Sequence, residues 1–555
     1  MRSKASFFCP KGGAQALADP CGIMPPRWRG ATWLDPMEYQ RAHADLRGAR
    51  IPAWLHWLRH GRREGRWPCS PEALVLETAL WQGEPQAADR LLALVDKGST
   101  PAERLAARLV LARAAAMRGE WQYAAENLGL SLASSHERDP AALPGLTELR
   151  LGLSRGFNMP EPMLLAALVT LRGLGKAGPT VAALLIRDLR RHMGEVAGVQ
   201  MLEAAVALHK HTESSSDHPL PSSAEEHWHQ ALRPLYESSG LEAPALAPAS
   251  AAAQSRFDRL TAQPREIIPD GPLVSVIIPA RDAENSLETA LSGLIGQSWR
   301  QLEIIVVDNG SCDRTPLIIH DWMKRDPRIR LINGGAEPGA YAARNLGVSE
   351  ARGSFIAFHD ADDWSHPDRI SRQVAALTSS QAAAALVSWV RLESDLLPAA
   401  PAPTEPLLHP ALSSLMLSKD LQQRLGFWDR VRAAADSEYL ERIMRIAGPT
   451  SVASVMGHLP LAFGRAQSKS LTRTQATGIW GPGAIARATY IASARAWHAE
   501  DGSLYLPCYP KERPFPAPAA LLPSMQSDPQ SAAPAADGPF RDQTVPSAER
   551  GEISQ

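Results

Sequence analysis

The sequence predicts two structural classes in one chain: an all-α helical-repeat region over residues 70–211 and a Rossmann-like, mostly parallel α/β domain over residues 270–500. Three observations lead there. Alanine and leucine recur at three- and four-residue intervals through the first region, the period of amphipathic helices. In the second, short β-branched runs alternate with helical stretches, as a parallel sheet covered on both faces requires. A length of 555 residues also exceeds what one core of about 250–300 residues supports, so two or three domains are expected.

Residues 1–35 show no periodicity and read as a flexible leader, with basic residues but too short an apolar segment for a signal peptide. Over 36–69, Trp54, Trp57 and Leu58 lie at helical spacing ahead of a glycine-bracketed basic turn, Gly61 to Gly65, which predicts a small helical module. Within 70–211, "ALWQGEPQAADRLLAL" (79–94) is echoed by "AAMRGEWQYAAENLGL" (115–130), with Gly83 over Gly119 and Ala88 over Ala124. The offset of 36 is close to the tetratricopeptide period of about 34. Glycine lets two helices turn tightly and alanine lets them approach, so the region resembles tetratricopeptide helix hairpins; an ordinary helical bundle also fits. Residues 212–269, rich in Ser, Pro and Ala, read as a flexible linker, and their His218, His227 and His229 as solvated side chains rather than a metal site. Residues 501–555 share that composition from about Pro510 and are expected to be disordered.

Lys and Arg total 58 against 59 Asp and Glu, a net charge of -1, so no basic field exists to hold nucleic acid. The five cysteines lack CxxC or His-paired spacing, which argues against a disulfide framework or a zinc site. No stretch approaches the roughly 20 apolar residues of a membrane span. The expectation is a cytoplasmic protein, with peripheral attachment at the inner membrane still compatible.

The α/β segment carries the chemistry. "LVSVIIP" (273–279), "LEIIVVD" (302–308), "IRLIN" (329–333) and "FIAFHD" (355–360) are its strands, and in such sheets ligands bind beyond the strands' carboxyl ends. Asp282 and Glu284 follow the first strand, Asp308 closes the second and Asp360 the fourth. No GxGxxG follows the first strand, so phosphate is not held by a glycine turn at a helix N-terminus. A divalent cation, Mg²⁺ or Mn²⁺, held by Asp360 and Asp362 would instead bridge to a diphosphate. A solvated acidic turn, or a helix cap ahead of "HPDRI", also accounts for the triplet Asp360, Asp362 and Asp363. Trp364 beside it is compatible with plain packing.

"VSVIIPARDAENSLETALSGLIGQSWRQLEIIVVDNGSCDRT", followed by "AARNLGVSEARGSFIAFHDADDW", resembles the family 2 glycosyltransferases, inverting enzymes of the GT-A fold that use nucleotide-diphosphate sugars. The family's "PxYNxE" stands here as Pro279-Ala280-Arg281-Asp282-Ala283-Glu284, departing at Arg281 and Asp282, and its DxD element is Asp360-Ala361-Asp362. The resemblance implies nucleotide-sugar contacts from Pro279, Arg281, Asp282, Glu284, Asp308, Arg344, Asp360 and Arg465, with Glu284 and Asp308 at base and ribose and Arg465 at the diphosphate. It implies Asp436, in "ADSEYLER", as the base that deprotonates the acceptor hydroxyl, although Ala435 replaces the family's preceding Glu; an N-cap role fits the same aspartate. Residues 36–69 resemble a short module, "HYxxxGxxEGRxP", found with some bacterial glycosyltransferases, through His56, Trp57, Gly61, Glu64, Gly65, Arg66 and Pro68.

The expectation is a metal-dependent inverting glycosyltransferase of surface polysaccharide or glycan assembly. Its donor is a nucleotide-diphosphate sugar and its acceptor a glycan, a lipid-linked molecule or a protein, with the helical region open to a protein partner. Two other readings remain at this stage. A sugar nucleotidyltransferase would share the sheet but needs a glycine- and basic-rich loop that "ARDAENS" lacks, and a non-catalytic scaffold would accommodate Arg281, Asp282 and Ala435.

Overall fold

The computed structural model describes residues 72–523, apart from 98–100, 131–159 (where only Leu146 and Leu149 are described), 195, 213–221, 250–254, 336–338, 381, 402–405, 468–476 and 480. The expected leader, the expected module of 36–69 and residues 524–555 lie outside the described residues.

The first half is helical, as expected: α1 (Glu72–Trp81), α2 (Pro85–Lys97), α3 (Pro101–Met117), α4 (Trp121–Asn127), α5 (Pro160–Gly173), α6 (Gly178–Met193) and α7 (Ala197–Thr212). The sequence echo marks equivalent turns. Gly83 between α1 and α2 and Gly119 between α3 and α4 both sit at φ +82°, where a Cβ would cost about 1–2 kcal/mol. Arg113 Nη1 donates to Glu77 Oε1 at 2.8 Å, tying α3 to α1, and burial pushes the Glu77 carboxyl up against that pairing.

The expectation of a flexible linker does not hold over its middle. Residues Ser222–Glu237 form α8, in which Trp228, Leu232 and Tyr236, at four-residue spacing, are fully buried. The Tyr236 hydroxyl donates to the Pro460 carbonyl at 2.7 Å. Beyond α8, β1 (Ala245–Leu246) pairs antiparallel with β2 (Leu260–Thr261). Serine and proline in the composition hid this amphipathic stripe, whose buried aromatics offset the ordering of the chain.

A mixed, mostly parallel sheet follows. The strands β3 (Val274–Ala280), β4 (Leu302–Asp308), β5 (Ile329–Asn333) and β6 (Phe355–Phe358) lie parallel in the order β5-β4-β3-β6. They alternate with α9 (Leu287–Ile295), α10 (Thr315–Arg325) and α11 (Ala340–Glu350). The sheet continues through β10 (Met416–Ser418), β8 (Ala384–Leu392), β11 (Val452–Arg465) and β7 (Trp364–Ser365), with β9 (His409–Pro410) on β8. Because β10 is antiparallel to both β6 and β8, and β11 is parallel to β8, the strands β8 and β11 run with β3. The carboxyl ends of β3, β4, β6, β8 and β11 therefore share one edge of the sheet. Around them stand α12 (Arg369–Ser379), α13 (Lys419–Leu425), α14 (Ala435–Ala447) and α15 (Gly481–Ala499). Trp364 is packed, stacking on Phe463 with ring centroids 5.5 Å apart.

Helical region and sheet share a core. One apolar cluster joins Leu128, Leu168, Leu202 and Trp228 to Val387 and Val390 of β8 and to Leu459 and Phe463 of β11. The chain beyond 501 is also ordered as far as 523, against the expected tail. Phe515 and Leu521 are buried, Phe427 N–H donates to the Leu506 carbonyl, and Arg432 N–H donates to the Leu521 carbonyl at 2.7 Å. Apolar residues set among the prolines supply the burial that composition alone did not suggest. Among the described residues no helix is long and apolar enough to cross a membrane.

Trp228→Ala should cost about 3–5 kcal/mol, the range for emptying a buried aromatic site, read from the midpoint of urea unfolding. A change below about 1 kcal/mol would show that α8 does not belong to the shared core.

Candidate active site

The acidic turn after β6 is held from two sides. Asp360 Oδ1 accepts from Arg344 Nη2 of α11 at 2.5 Å. The Arg344 guanidinium is buried, 5.2 Å from the Tyr341 ring centroid and 5.4 Å from that of Trp428, and those faces favour its charge. Asp363 turns the other way, accepting from Arg465 N–H at 3.1 Å and from the Ser413 hydroxyl at 3.3 Å. The Asp362 carboxylate, between them, accepts no hydrogen bond from any other described residue. Burial and then the negative charge of Asp360 push its carboxyl up to about 6. Behind the turn, burial lowers the His359 imidazole to about 3, keeping it neutral, and its Nδ1 lies 2.7 Å from the Asp360 carbonyl.

Asp436 occupies the first turn of α14, where its Oδ1 accepts from Ser437 N–H at 2.9 Å and its charge complements the helix dipole. The turn is backed by a buried ion pair. Glu438 and Arg442 are fully buried and paired at 2.8 Å, Arg442 also donates to the Leu425 and Phe427 carbonyls, and His498 Nε2 of α15 lies 3.0 Å from Glu438 Oε1. Tyr439 stacks on Trp428 at 4.3 Å, so one tryptophan supports both the Arg344 guanidinium and the helix bearing Asp436. Immediately ahead of the helix, buried Ala434 adopts φ 72°, ψ −1°, a left-handed conformation that alanine pays for in strain. The C-terminal segment clamps this loop through Arg513, which pairs with Asp429, while Tyr490 donates to the same carboxylate at 2.9 Å.

A cavity of about 550 Å³ lies at the strand-end edge. Pro279, Arg281, Asp282, Arg344, Asp360, Asp362, Asp436 and Arg465, all anticipated from the sequence, line it. Glu284 and Asp308 do not. Glu284 Oε2 accepts from Arg314 N–H at 3.1 Å and Asp308 Oδ1 from Ser311 N–H at 3.1 Å, so both carboxylates shape the loop after β4. Asp282 joins that loop from the cavity side, its Oδ1 accepting from Cys312 N–H at 2.8 Å. The Arg465 guanidinium pairs with Asp258 and donates through Nε to the Asp362 carbonyl at 3.2 Å. It thereby fastens the segment before β3 to the acidic turn.

Further arginines line the cavity that sequence reasoning did not select: Arg391 at the end of β8, Arg432, and Arg487 of α15. Arg391 reaches the edge because β8 pairs in register with β11, setting it opposite Gly464. No local motif encodes that pairing. Arg432 had a signal, standing four residues before Asp436 in "DRVRAAAD".

The parallel strand ends of a mixed sheet thus gather an acidic turn, a buried arginine and a helix-borne aspartate around one crevice. Residues 275–432 match the model of the family described as glycosyl transferase family 2, and this segment is a family 2 glycosyltransferase domain. An uncharacterized glycosyltransferase of Haemophilus influenzae is 35% identical over 103 residues, 19% of this chain and 41% of that protein. The uncharacterized glycosyltransferase EpsJ of Bacillus subtilis is 43% identical over 93 residues, 17% of this chain and 27% of its own. The chain thus spans less than half the length of these relatives. Among solved structures, Staphylococcus aureus TarS 1-349 is similar at 18% identity and TM-score 0.29, covering 35% of this chain and 60% of that one. So slight a structural likeness decides nothing about ligands.

Because the Asp362 carboxyl titrates above its ordinary range, ionising it costs stability; the cost is absent below the usual carboxylate value of 3.8 and complete above about 6. With chelator present, Asp362→Asn should therefore melt about 2–4 °C higher than the parent at pH 8, and the difference should vanish below pH 4. Equal melting temperatures at pH 8 would contradict the uncompensated charge.

Proposed function

We propose that the chain is a metal-dependent inverting glycosyltransferase, moving a sugar from a nucleotide-diphosphate donor to a hydroxyl acceptor in surface polysaccharide or glycan assembly. One observation carries the reading: Asp436, Asp362 and the Arg344–Asp360 pair face a single cavity inside a family 2 glycosyltransferase domain. Nucleophile activation and leaving-group stabilisation then have separate groups in one space.

A divalent cation fits the donor set at the acidic turn. Asp362 has a carboxylate unclaimed by other described residues, and its charge is raised in energy by burial and then by Asp360, which a cation would relieve. No three His, Cys, Asp or Glu converge as a ligand set among the described residues. Asp362 and Asp360 would hold a divalent cation such as Mg²⁺ or Mn²⁺, which accept carboxylate oxygen. When bound, the ion would offset the negative charge gathering on the departing diphosphate.

The chain's own residues do the rest. Arg344 orients Asp360 and brings positive charge to the diphosphate side, and Arg281 and Asp282 border the donor space. Glu284 and Asp308, which do not line the cavity, act through the loop they hold beside the donor space. Arg465 acts chiefly by fixing the acidic turn. The Asp436 carboxylate takes the acceptor's O–H proton as the new C–O bond forms at the anomeric carbon and the bond to the diphosphate breaks, its electron pair leaving with phosphate oxygen. One displacement inverts the anomeric centre.

Asp436→Asn should bind nucleotide sugar as the parent does and lose roughly 10²–10⁴-fold in transfer, measured as nucleoside diphosphate release. Parental turnover would remove Asp436 as base. A thermal-shift screen of UDP, GDP, dTDP and CMP sugars with and without Mn²⁺ should give one nucleotide class a metal-dependent rise; silence from all of them would overturn the transfer reading.

A further inference from the structure

We propose that the helical region completes the acceptor half of the cavity, and that this half receives an acceptor glycoside with an apolar aglycone. The inference rests on the transfer reading and names the substrate class of the same site.

The cavity wall carries apolar as well as ionic side chains. Its ionic groups come from the turns after β3 and β6, from α11 and α14, and from Arg391, Arg432, Arg465 and Arg487, and between them Met117, Ala399, Ala400, Pro401, Leu407 and Ile479 supply apolar surface. Apart from the weakly accepting Met117 thioether, those side chains carry no hydrogen-bonding atom. A sugar hydroxyl pressed against them would lose water without gaining a partner, while an alkyl or isoprenoid group would lose nothing. Trp389 and His409, packed edge to face at 5.8 Å, add aromatic surface to the same lining.

Met117 is the residue that sequence reasoning had no cause to place here. It ends α3, in the helical region and well before the matched segment that begins at residue 275. Its position is anchored through its neighbours. Trp121 opens α4 just beyond it, the Arg172 guanidinium of α5 lies 4.3 Å from the centroid of that ring, and Arg172 Nη2 donates to Glu393 Oε2 at 2.7 Å. Glu393 directly follows β8. Leu396, Leu397 and Leu407, on the chain that leaves β8, belong to the same apolar cluster as the helices. Helices α3 to α5 thus pack against the chain leaving β8, whose Ala399, Ala400, Pro401 and Leu407 line the cavity, and add Met117 to the wall. Selection of the acceptor is shared between the two regions.

The test uses the full chain with Mn²⁺ and the responding donor among UDP-glucose, UDP-N-acetylglucosamine and GDP-mannose. Release of nucleoside diphosphate is followed against methyl and n-octyl β-D-glucopyranoside, the latter kept below its micelle concentration. The seven extra methylenes should let the octyl glycoside alter release at a concentration at least about tenfold lower than the methyl glycoside. Met117→Lys and Pro401→Asp should each cut that preference to below about threefold, and Met117→Leu should retain it. Pro401→Asp guards against a folding defect in α3, and nucleotide affinity by calorimetry should stay at the parental value in both charged variants. A parent that responds equally to the two glycosides, or a preference that survives both charged substitutions, overturns the inference while leaving transfer intact. A folded parent that releases nucleotide from none of the donors overturns the transfer reading, and the inference falls with it.

Discussion

Carboxylates crowded at a strand end repel one another, and the site is organised around that repulsion. Asp360, Asp362 and Asp363 follow β6 within four positions. Arg344 meets Asp360 with a buried guanidinium, and Arg465 N–H with Ser413 meets Asp363. Asp362 is left buried and in the field of Asp360, which together raise its carboxyl to about 6. A protein that needed only stability would replace that group by a neutral one. Keeping it makes sense when a ligand of opposite charge completes the balance.

The fold explains how so much charge is held. Five strand ends share an edge because β8 and β11 run with β3 across the antiparallel β10. Behind that edge, Trp428 packs against Tyr341, Tyr439 and the Arg344 guanidinium, linking the acidic turn to the helix bearing Asp436. The buried Glu438–Arg442 pair fixes the start of that helix to the loop before it. Such a pair contributes little net stability but strongly restricts the arrangements available, since any alternative strands a charge in the interior. The strain at Ala434 is borne by this surrounding network.

Much of this was legible in the residues. Parallel strands read as apolar runs because both faces are covered, and the acidic triplet stood out against the run that ends in it. Gly83 and Gly119 announced their turns through a shared left-handed requirement. What stayed hidden depends on contacts between distant segments. The stripe of Trp228, Leu232 and Tyr236 lay within Ser- and Pro-rich text and acquires meaning only against β11. Phe515 and Leu521 looked like part of a disordered tail until α15 and the 425–432 loop gave them a surface. Arg391 depends on strand register, and Met117 on the packing of helices against the chain after β8. Glu284 and Asp308 illustrate the converse: their positions after strands were plain, but backbone N–H groups of the next loop claim both carboxylates.

The central claim is that Asp362 gives the donor site its need for a cation. Calorimetric titration of the parent and of Asp362→Ala with UDP and with GDP, each with and without Mn²⁺, tests it most directly. The account requires that the parent bind one nucleotide at least about tenfold more tightly with the metal present, a difference of about 1.4 kcal/mol, and that Asp362→Ala lose that gain. Metal-dependent affinity that is unchanged in Asp362→Ala would contradict it.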